Sequence, residues 1–361
     1  MSTVAIVGAG VVGASVAYHL ARRGVSVTVI ERAPAPAAGV TGASFAWIGD
    51  AGGEWPGGAE DLRGSVLADY RRLEAEVPGV AVRRTGSLAW RPAPVGLGNG
   101  ARPAPGQYWL GRSQIAALEP NLQDVPERAV WTPTDGGVDP VRTTEALVHA
   151  ARALGARVVL GAGVAALKVG RGRAEGVVCA AGFYPAATVV LAAGTGVGAL
   201  CAPLGVALPV AASPALLLRV EAPPGLVRTI LDTPEFEARD SRAGHLLLTA
   251  PYPEHGDSAA ALRRRARRTL ERLRSSFRGA GSLRLLGYGV GRRPMPAGGP
   301  VVGYATPDAS VYVAVMHSAV TLAPTVGRLV ATELVSGAPA AELRRCRPQR
   351  FSARGGRGPR A

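Results

Sequence analysis

After Met1, Ser2 and Thr3 comes an unbroken apolar block, Val4 to Val7. A short apolar run without alternation is what a strand covered on both faces requires. Three glycines follow at positions 8, 10 and 13, and apolar positions then recur through Ala14, Ala17 and Leu20 at helical spacing. Arg22 and Arg23 suit the negative end of that helix, and Gly24 supplies a left-handed stop. A second strand is predicted over Val25 to Ile30, rich in valine, and it delivers Glu31 at its end.

Beyond this unit the pattern becomes mixed. Residues 34 to 59 are rich in Gly, Pro and Ala and contain "TGASFAWIGDAGGEWPGG". A helical pattern runs from about Asp61 to Glu76, strand-like "VAVRRTGSLAW" follows, and residues 92 to 107 read as a surface loop. Asp139 as N-cap, Pro140 at the first helical position and Gly155 as the stop bound another helix, which leads into a strand. Val164 to Val169 and Gly176 to Ala180 flank the turn "GRGRAE" as a hairpin, and "ATVVLAAGTG" is a further buried strand. Residues 206 to 286 alternate strand-like runs with one basic helix, and the chain closes with two strands and a helix up to about residue 337. No apolar stretch reaches the ~18 residues of a membrane helix. The opening run has no basic leader and no small-residue cleavage site, so it reads as mature, soluble protein rather than a signal peptide.

Charge adds one qualification. The 361-residue chain carries a formal +15. Residues 263 to 278 contribute +7 and residues 342 to 361 contribute +6, which leaves +2 elsewhere. The first segment reads as a solvated helix face, the second as a disordered Gly/Arg/Pro tail. Neither interleaves aromatics as a nucleic-acid platform does, so nucleic acid is not the expected partner. Lys168 is the only lysine, so the excess is almost wholly arginine. Cys179, Cys201 and Cys346 are odd in number and lack metal-ligand spacing, which favours a reducing cytoplasm and no metal site.

The glycine spacing carries the candidate chemistry. Gly8 permits a tight turn, Gly10 lets backbone approach a pyrophosphate, and Gly13 lets helix pack on strand. The helix N-terminus offers free N–H groups to phosphate. Glu31 lies 18 residues after Gly13, where a carboxylate accepts hydrogen bonds from a ribose diol. The unit is a dinucleotide fingerprint.

Several stretches in order, "TGASFAW", "DGGVDP", "ATVVLAAGTG", "GRRPMPAGGPVVG" and "LAPTVGRLVATEL", together with that fingerprint resemble the FAD-dependent amine oxidoreductases of the D-amino-acid oxidase, glycine oxidase and sarcosine oxidase type, the DAO family. The resemblance spans roughly residues 3 to 337. It implies an α/β fold: a Rossmann-like FAD-binding domain, discontinuous in sequence, with an inserted, mainly antiparallel α+β substrate domain. On that division residues 1–80, 138–205 and 287–340 form the FAD-binding domain, 81–137 and 206–286 the substrate domain, and 341–361 the basic tail.

The resemblance also implies site residues. Gly8, Gly10, Val12 and Gly13 would meet the pyrophosphate, Glu31 and Arg32 the adenosine side, and Val164 the adenine. Ala193 and Gly194 leave room for the ribityl chain, and Ser44 is either a phosphate or flavin donor or an ordinary loop cap. Arg293 of "GRRPMP" stands where the family clamps a substrate carboxylate, with Arg292 one residue away as the competing register. His317, Ala319 and Thr321 fall where a glycine-rich stretch meets the flavin. Ala319 stands where a glycine is expected, and no cysteine lies near the Arg-Pro segment to hold flavin covalently, so non-covalent FAD is expected. The implied reaction is oxidation of a C–N bond of an amino acid or amine-carboxylate to an imine by hydride transfer, with oxygen or another acceptor. Three alternatives stand beside it: an NAD-dependent dehydrogenase, a flavin-binding protein without turnover, and an RNA-modifying relative.

Overall fold

The computed structural model describes residues 3–53, 55–90, 102–253, 256 and 258–354. The opening strand Thr3–Val7 lies inside a six-stranded sheet. It pairs in parallel with Ser26–Ile30 on one side and Thr188–Leu191 on the other. Arg157–Val159 extends one edge, and Val311–Val315 followed by antiparallel Val301–Tyr304 completes the other. The uninterrupted apolar run is explained by two cores. Val4 and Ile6 enter the core shared with the helices, while Ala5 and Val7 enter the core on the opposite face. Val29 against Ile30 and Val190 against Val189 repeat the division.

Two helices cover the first face at close range. The fingerprint helix, Val11–Ala21, is buried along its whole length. A Cβ added to Gly13 would sit 2.0 Å from the Gly8 carbonyl oxygen, so only glycine lets helix and strand approach this closely. The C-terminal helix, Ala319–Ser336, crosses it at Gly327, where an added Cβ would meet Ser15 Oγ at 2.2 Å. Pro324 lies inside this second helix and has no N–H for the Val320 carbonyl four residues earlier. Tyr70 fills the gap, its hydroxyl donating to that carbonyl at 2.5 Å from Val66–Glu76.

Eight further strands build a second large sheet in the order Arg284–Pro296, Val210–Glu221, His245–Ala250, Glu237–Arg242, Ile230–Asp232, Ser87–Ala89, Arg128–Thr132 and Tyr108–Gly111, beside a three-stranded and a two-stranded sheet. All neighbours are antiparallel except Ile230–Asp232 with Ser87–Ala89. Leu216, Leu218 and Val220 alternate inward toward Leu270, Leu273 and Phe277 of the basic helix region. Each such side chain contributes about 1.5–3 kcal/mol when fully buried. The arginines of the helix Ala259–Ser276 lie mostly on its solvent side.

Several sequence expectations are refined. The division at residues 286 and 287 cuts the strand Arg284–Pro296, which pairs with Val210–Glu221 from one end to the other. The helix expected from Asp61 to Glu76 is two helices, Ala59–Arg63 and Val66–Glu76, broken at Gly64 and Ser65. The expected hairpin gains a third strand, Gly182–Pro185. Most of the loop at 92–107 lies outside the described residues, which resume at 102.

The tail requires a correction over its first half. Residues Ala341–Cys346 and Pro348–Arg354 form 3-10 turns, and Leu343 and Cys346 are fully buried. Arg347 pairs with Glu333, which also accepts from Tyr312 at 2.5 Å. Against the penalty of burial, these donors hold the Glu333 carboxyl below its ordinary range. Composition suggested disorder because it records how few apolar residues there are, not that these two have a slot waiting. Residues 355–361 lie outside the described residues.

One cation ties the eight-stranded sheet to the two-stranded ribbon of Trp47–Ile48 and Gly136–Gly137. Arg239, 1% exposed, donates from Nε to the Phe45 carbonyl and from Nη2 to the Val138 carbonyl, both at 2.6 Å. Burial lowers its guanidinium to about 10, with Asp139 and Asp240 opposing the shift. Gly137 is glycine because an added Cβ would meet Nη1 at 2.6 Å.

Two outcomes follow for stability. Arg239→Met should destabilise the protein by ~2–5 kcal/mol, because two buried carbonyls lose their donor; equal midpoints in urea would show that the clamp is replaceable. Truncation after residue 346 should cost ~3–5 kcal/mol by leaving Glu333 buried without its cation. An unchanged melting temperature for the truncated chain would refute that.

Candidate active site

The dinucleotide cradle is built from backbone. Gly8 has φ +105°, and a Cβ there would lie 2.6 Å from the Ala192 carbonyl oxygen. Gly10 is the extended N-cap of the fingerprint helix and offers no side-chain cap, which leaves helix N–H groups facing the loop. The Val11 amide donates to Thr41 Oγ1 at 3.2 Å, and a Cβ on Gly10 would crowd that oxygen at 3.1 Å. Val12, 8% exposed, packs into the first core and reaches the cradle through backbone alone.

Glu31 stands at the end of the second strand, where the fingerprint requires an acid. Its Oε2 accepts from the Ala9 amide at 2.7 Å and its Oε1 from the Ala33 amide at 2.9 Å. The carboxylate is thus aimed by the turn itself, with a lone pair on each oxygen left for a hydroxyl. Arg32 is exposed beside it, and Val164 begins the strand Val164–Gly170 half-buried against the second core. Ala193 and Gly194 follow Thr188–Leu191 at its carboxyl end, Gly194 with φ +57°. A dinucleotide fits these residues: a glycine-only cleft, a helix N-terminus without a side-chain cap on its N-cap residue, and an oriented acid.

A chamber of about 500 Å3 opens between this cradle and the eight-stranded sheet. Val11 and Ser44 line it from the fingerprint side, Arg293 from the sheet, and His317, Ala319 and Thr321 from the start of the C-terminal helix. The last five come together as the sequence expected, while Val12, Arg32, Val164, Ala193 and Gly194 are not on its wall. Arg292 is not a lining residue either, and it is exposed on the other face of the strand.

The details of these side chains differ in kind. Arg293 is held from behind, donating from Nη2 to Ser213 Oγ at 2.8 Å and from Nε to the Ser213 carbonyl at 3.4 Å. Ser44 Oγ accepts from the Ala46 amide at 3.1 Å, the geometry of a loop cap, although the residue lines the chamber. Thr321 Oγ1 donates to the Trp47 carbonyl at 2.8 Å. Burial, reinforced by the charge of Arg293, lowers the His317 ring below its ordinary value, so the imidazole is neutral at neutral pH. Its Nδ1 lies 3.2 Å from Ser318 Oγ.

Ala319 begins the helix, and its methyl packs partly against the first core. The left-handed residue is its neighbour Ser318, with φ +53°. The backbone conformation that favours glycine therefore falls one position before Ala319, the residue that stands where a glycine is expected.

Sequence reasoning assigned nothing to Asp135, which also lines the chamber and is 3% exposed. Its Oδ2 accepts from Ser87 Oγ at 2.6 Å and from Trp47 Nε1 at 2.9 Å. Burial pushes the carboxyl up to about 6; Asp50 adds to the shift and the two donors oppose it. Asp135 opens the stretch "DGGVDP" that carries part of the family resemblance, but an acid between a strand and a glycine pair is also how ordinary turns are written. Among the described residues no cluster of His, Cys, Asp or Glu could hold a metal, and no helix is long and apolar enough to cross a membrane.

Comparisons with known proteins agree with this geometry. The family model described as FAD-dependent oxidoreductase, DAO, matches residues 3–333. A D-amino acid dehydrogenase of Cereibacter sphaeroides is 28% identical over 98% of this chain and 96% of its own. Another of that name from Bradyrhizobium diazoefficiens is 30% identical over 68% of this chain, and that match spans 61% of the relative's length. The fold superposes on glycine oxidase from Bacillus cereus with a TM-score of 0.79 at 21% identity, covering 95% of this chain and 97% of that one.

Glu31 provides the test of the cradle. Glu31→Ala should weaken FAD binding by ~1.5–3 kcal/mol, the worth of a hydrogen bond to a charged acceptor. Fluorescence titration of apoprotein with FAD measures it, and equal affinities would remove Glu31 from the site.

Proposed function

Because the chain belongs to the DAO family of FAD-dependent oxidoreductases, we propose that it oxidises the C–N bond of an amino acid to an imine, with a D-amino acid as the preferred substrate. The observation that supports this most directly is a single chamber with a braced guanidinium on one wall and the cofactor cradle beside it. The names of the relatives favour D-amino acids, and they favour an acceptor other than oxygen. The family match decides between the two cofactors that the fingerprint left open, in favour of FAD.

The residues divide the work. Gly8, Gly10 and Gly13 hold the pyrophosphate by backbone, Glu31 and Arg32 face the adenosine side, and Val164 borders the adenine. Ala193 and Gly194 flank the ribityl chain, and Ser44, Ala319 and Thr321 border the flavin ring. No cysteine lies near Arg293-Pro294, so the cofactor is held without a covalent bond. When bound, FAD takes up the hydride from the carbon next to nitrogen.

Arg293 anchors the substrate carboxylate. A guanidinium presents two parallel donors to a carboxylate, and Ser213 removes much of its freedom beforehand, so binding loses less entropy. The neutral ring of His317 adds no second cation to compete for the anion. A low-dielectric chamber strengthens both effects. A cytoplasmic location accords with Cys179, Cys201 and Cys346, all buried free thiols.

Purified protein should be yellow, release FAD on acid precipitation, and bleach anaerobically with at least one of a panel of D-amino acids, glycine, sarcosine and L-proline. Slow reoxidation in air is expected of a dehydrogenase. Arg293→Leu should lose ~2–5 kcal/mol in kcat/KM, while Arg292→Leu stays near wild type. A wild-type flavin that no amine reduces would refute the proposal, and an active Arg293→Leu would refute the clamp alone.

A further inference from the structure

Asp135 is an expensive residue. A buried carboxyl whose folded value is raised contributes nothing to stability at acidic pH and weakens the fold as pH climbs above the ordinary Asp range. Its Oδ1 is buried without any hydrogen-bond partner, while Oδ2 is fully engaged by Ser87 and Trp47. Oδ1 packs against Gly49, where an added Cβ would lie 2.2 Å away, and Gly49 itself lines the chamber. A carboxylate half satisfied, in a wall that also contains an arginine, suits a ligand that carries both charges.

We propose that Asp135 is the anionic pole of the chamber: it binds the ammonium group of a zwitterionic amino acid whose carboxylate is held by Arg293, and accepts the proton that must leave before oxidation. This rests on the amino-acid reading above and specifies how that site selects its substrate. In the proton step one N–H bond of the ammonium breaks and one O–H bond forms on the carboxylate, leaving a neutral amine and a neutral acid. No electrons change hands. The free amine then has the nitrogen lone pair that an imine requires.

The surroundings are consistent with that task. Asp50, on the loop beside Gly49, is the nearby carboxylate that makes a second negative charge costly. Arg83 and Arg239 flank the Gly136-Gly137 backbone but are committed, Arg83 to Asp240 and Arg239 to carbonyls. The chamber is also lined by Arg293, neutral His317, and the carboxylates Asp232 and Glu237, which have contacts of their own. Trp47 and Ser87 hold Asp135 in place and carry no charge, so its titration is felt by the ligand.

The test uses FAD-loaded protein and two ligands that differ by the amino group, D-alanine and propionate, read by perturbation of the flavin spectrum and by anaerobic reduction. Asp135→Asn preserves shape and an acceptor for Ser87 or Trp47. It should raise the D-alanine KM by 30-fold or more while propionate binds as well as before or better. In wild type, D-alanine kcat/KM should fall about tenfold per pH unit below about 6, with no matching loss of propionate binding. That profile needs no variant and stands even if Asp135→Asn fails to fold. Equal loss of both ligands in the variant, or a flat wild-type profile through pH 6, would overturn the role of Asp135. Wild-type flavin that neither D-alanine nor any other amino acid reduces would refute the amino-acid reading itself, a result separable from either.

Discussion

A guanidinium without a carboxylate partner fixes the relation between the two halves of this molecule. Arg239 leaves the eight-stranded sheet and ends among carbonyls that flank the ribbon of Trp47–Ile48 and Gly136–Gly137, those of Phe45 and Val138, with the Phe45 ring 5.4 Å from its charge. Carbonyl dipoles and an aromatic face offset part of the desolvation of the charge, and the low exposure makes each bond matter. The segment Phe45 to Ile48 is held from one side by this contact and from the other by pairing with Gly136-Gly137. The same segment forms part of the chamber wall, so the width of the chamber is set by a residue that does not line it.

Arginine repeats this work elsewhere. Arg350 gathers the carbonyls of Ala297, Gly299 and Pro300, Arg278 reaches the Pro120 carbonyl at 2.6 Å, and Arg219 donates to Gly42. Loop carbonyls that no helix or sheet satisfies need donors, and a planar fork with five N–H groups serves two or three at once. A lysine would serve fewer, with a looser angle. Part of the +15 charge therefore belongs to the architecture, and a surplus of cations in a sequence need not announce an anionic partner.

The cradle was legible because strand, turn, helix and acid lie within 33 positions at a fixed spacing, and Gly13 is demanded by Gly8 of the same turn, although the contact that demands Gly8 comes from distant Ala192. Arg293 was legible through its motif, and strand alternation separates it from Arg292, since neighbours on a strand face opposite sides. Arg239 and Asp135 were not. Their roles come from partners about a hundred and nearly two hundred residues away in sequence for Arg239, and from 48 and 88 residues away for Asp135. The same limit explains the tail. Arg347 looks like one arginine in a polar run until the fold brings it to Glu333.

Pro324 has a wider consequence for the chamber. A helix that loses one backbone bond in its second turn is free to splay there, and the turn it would release carries Ala319 and Thr321. Tyr70 closes that freedom from outside the helix, with a hydroxyl that burial pushes well above its ordinary titration range. The donor therefore cannot be removed by any pH the protein meets. The turn that carries Ala319 and Thr321 is braced by a group insensitive to acidity, while the same chamber contains Asp135, whose carboxyl burial pushes up to about 6. Acidity can change what the chamber attracts without changing its shape.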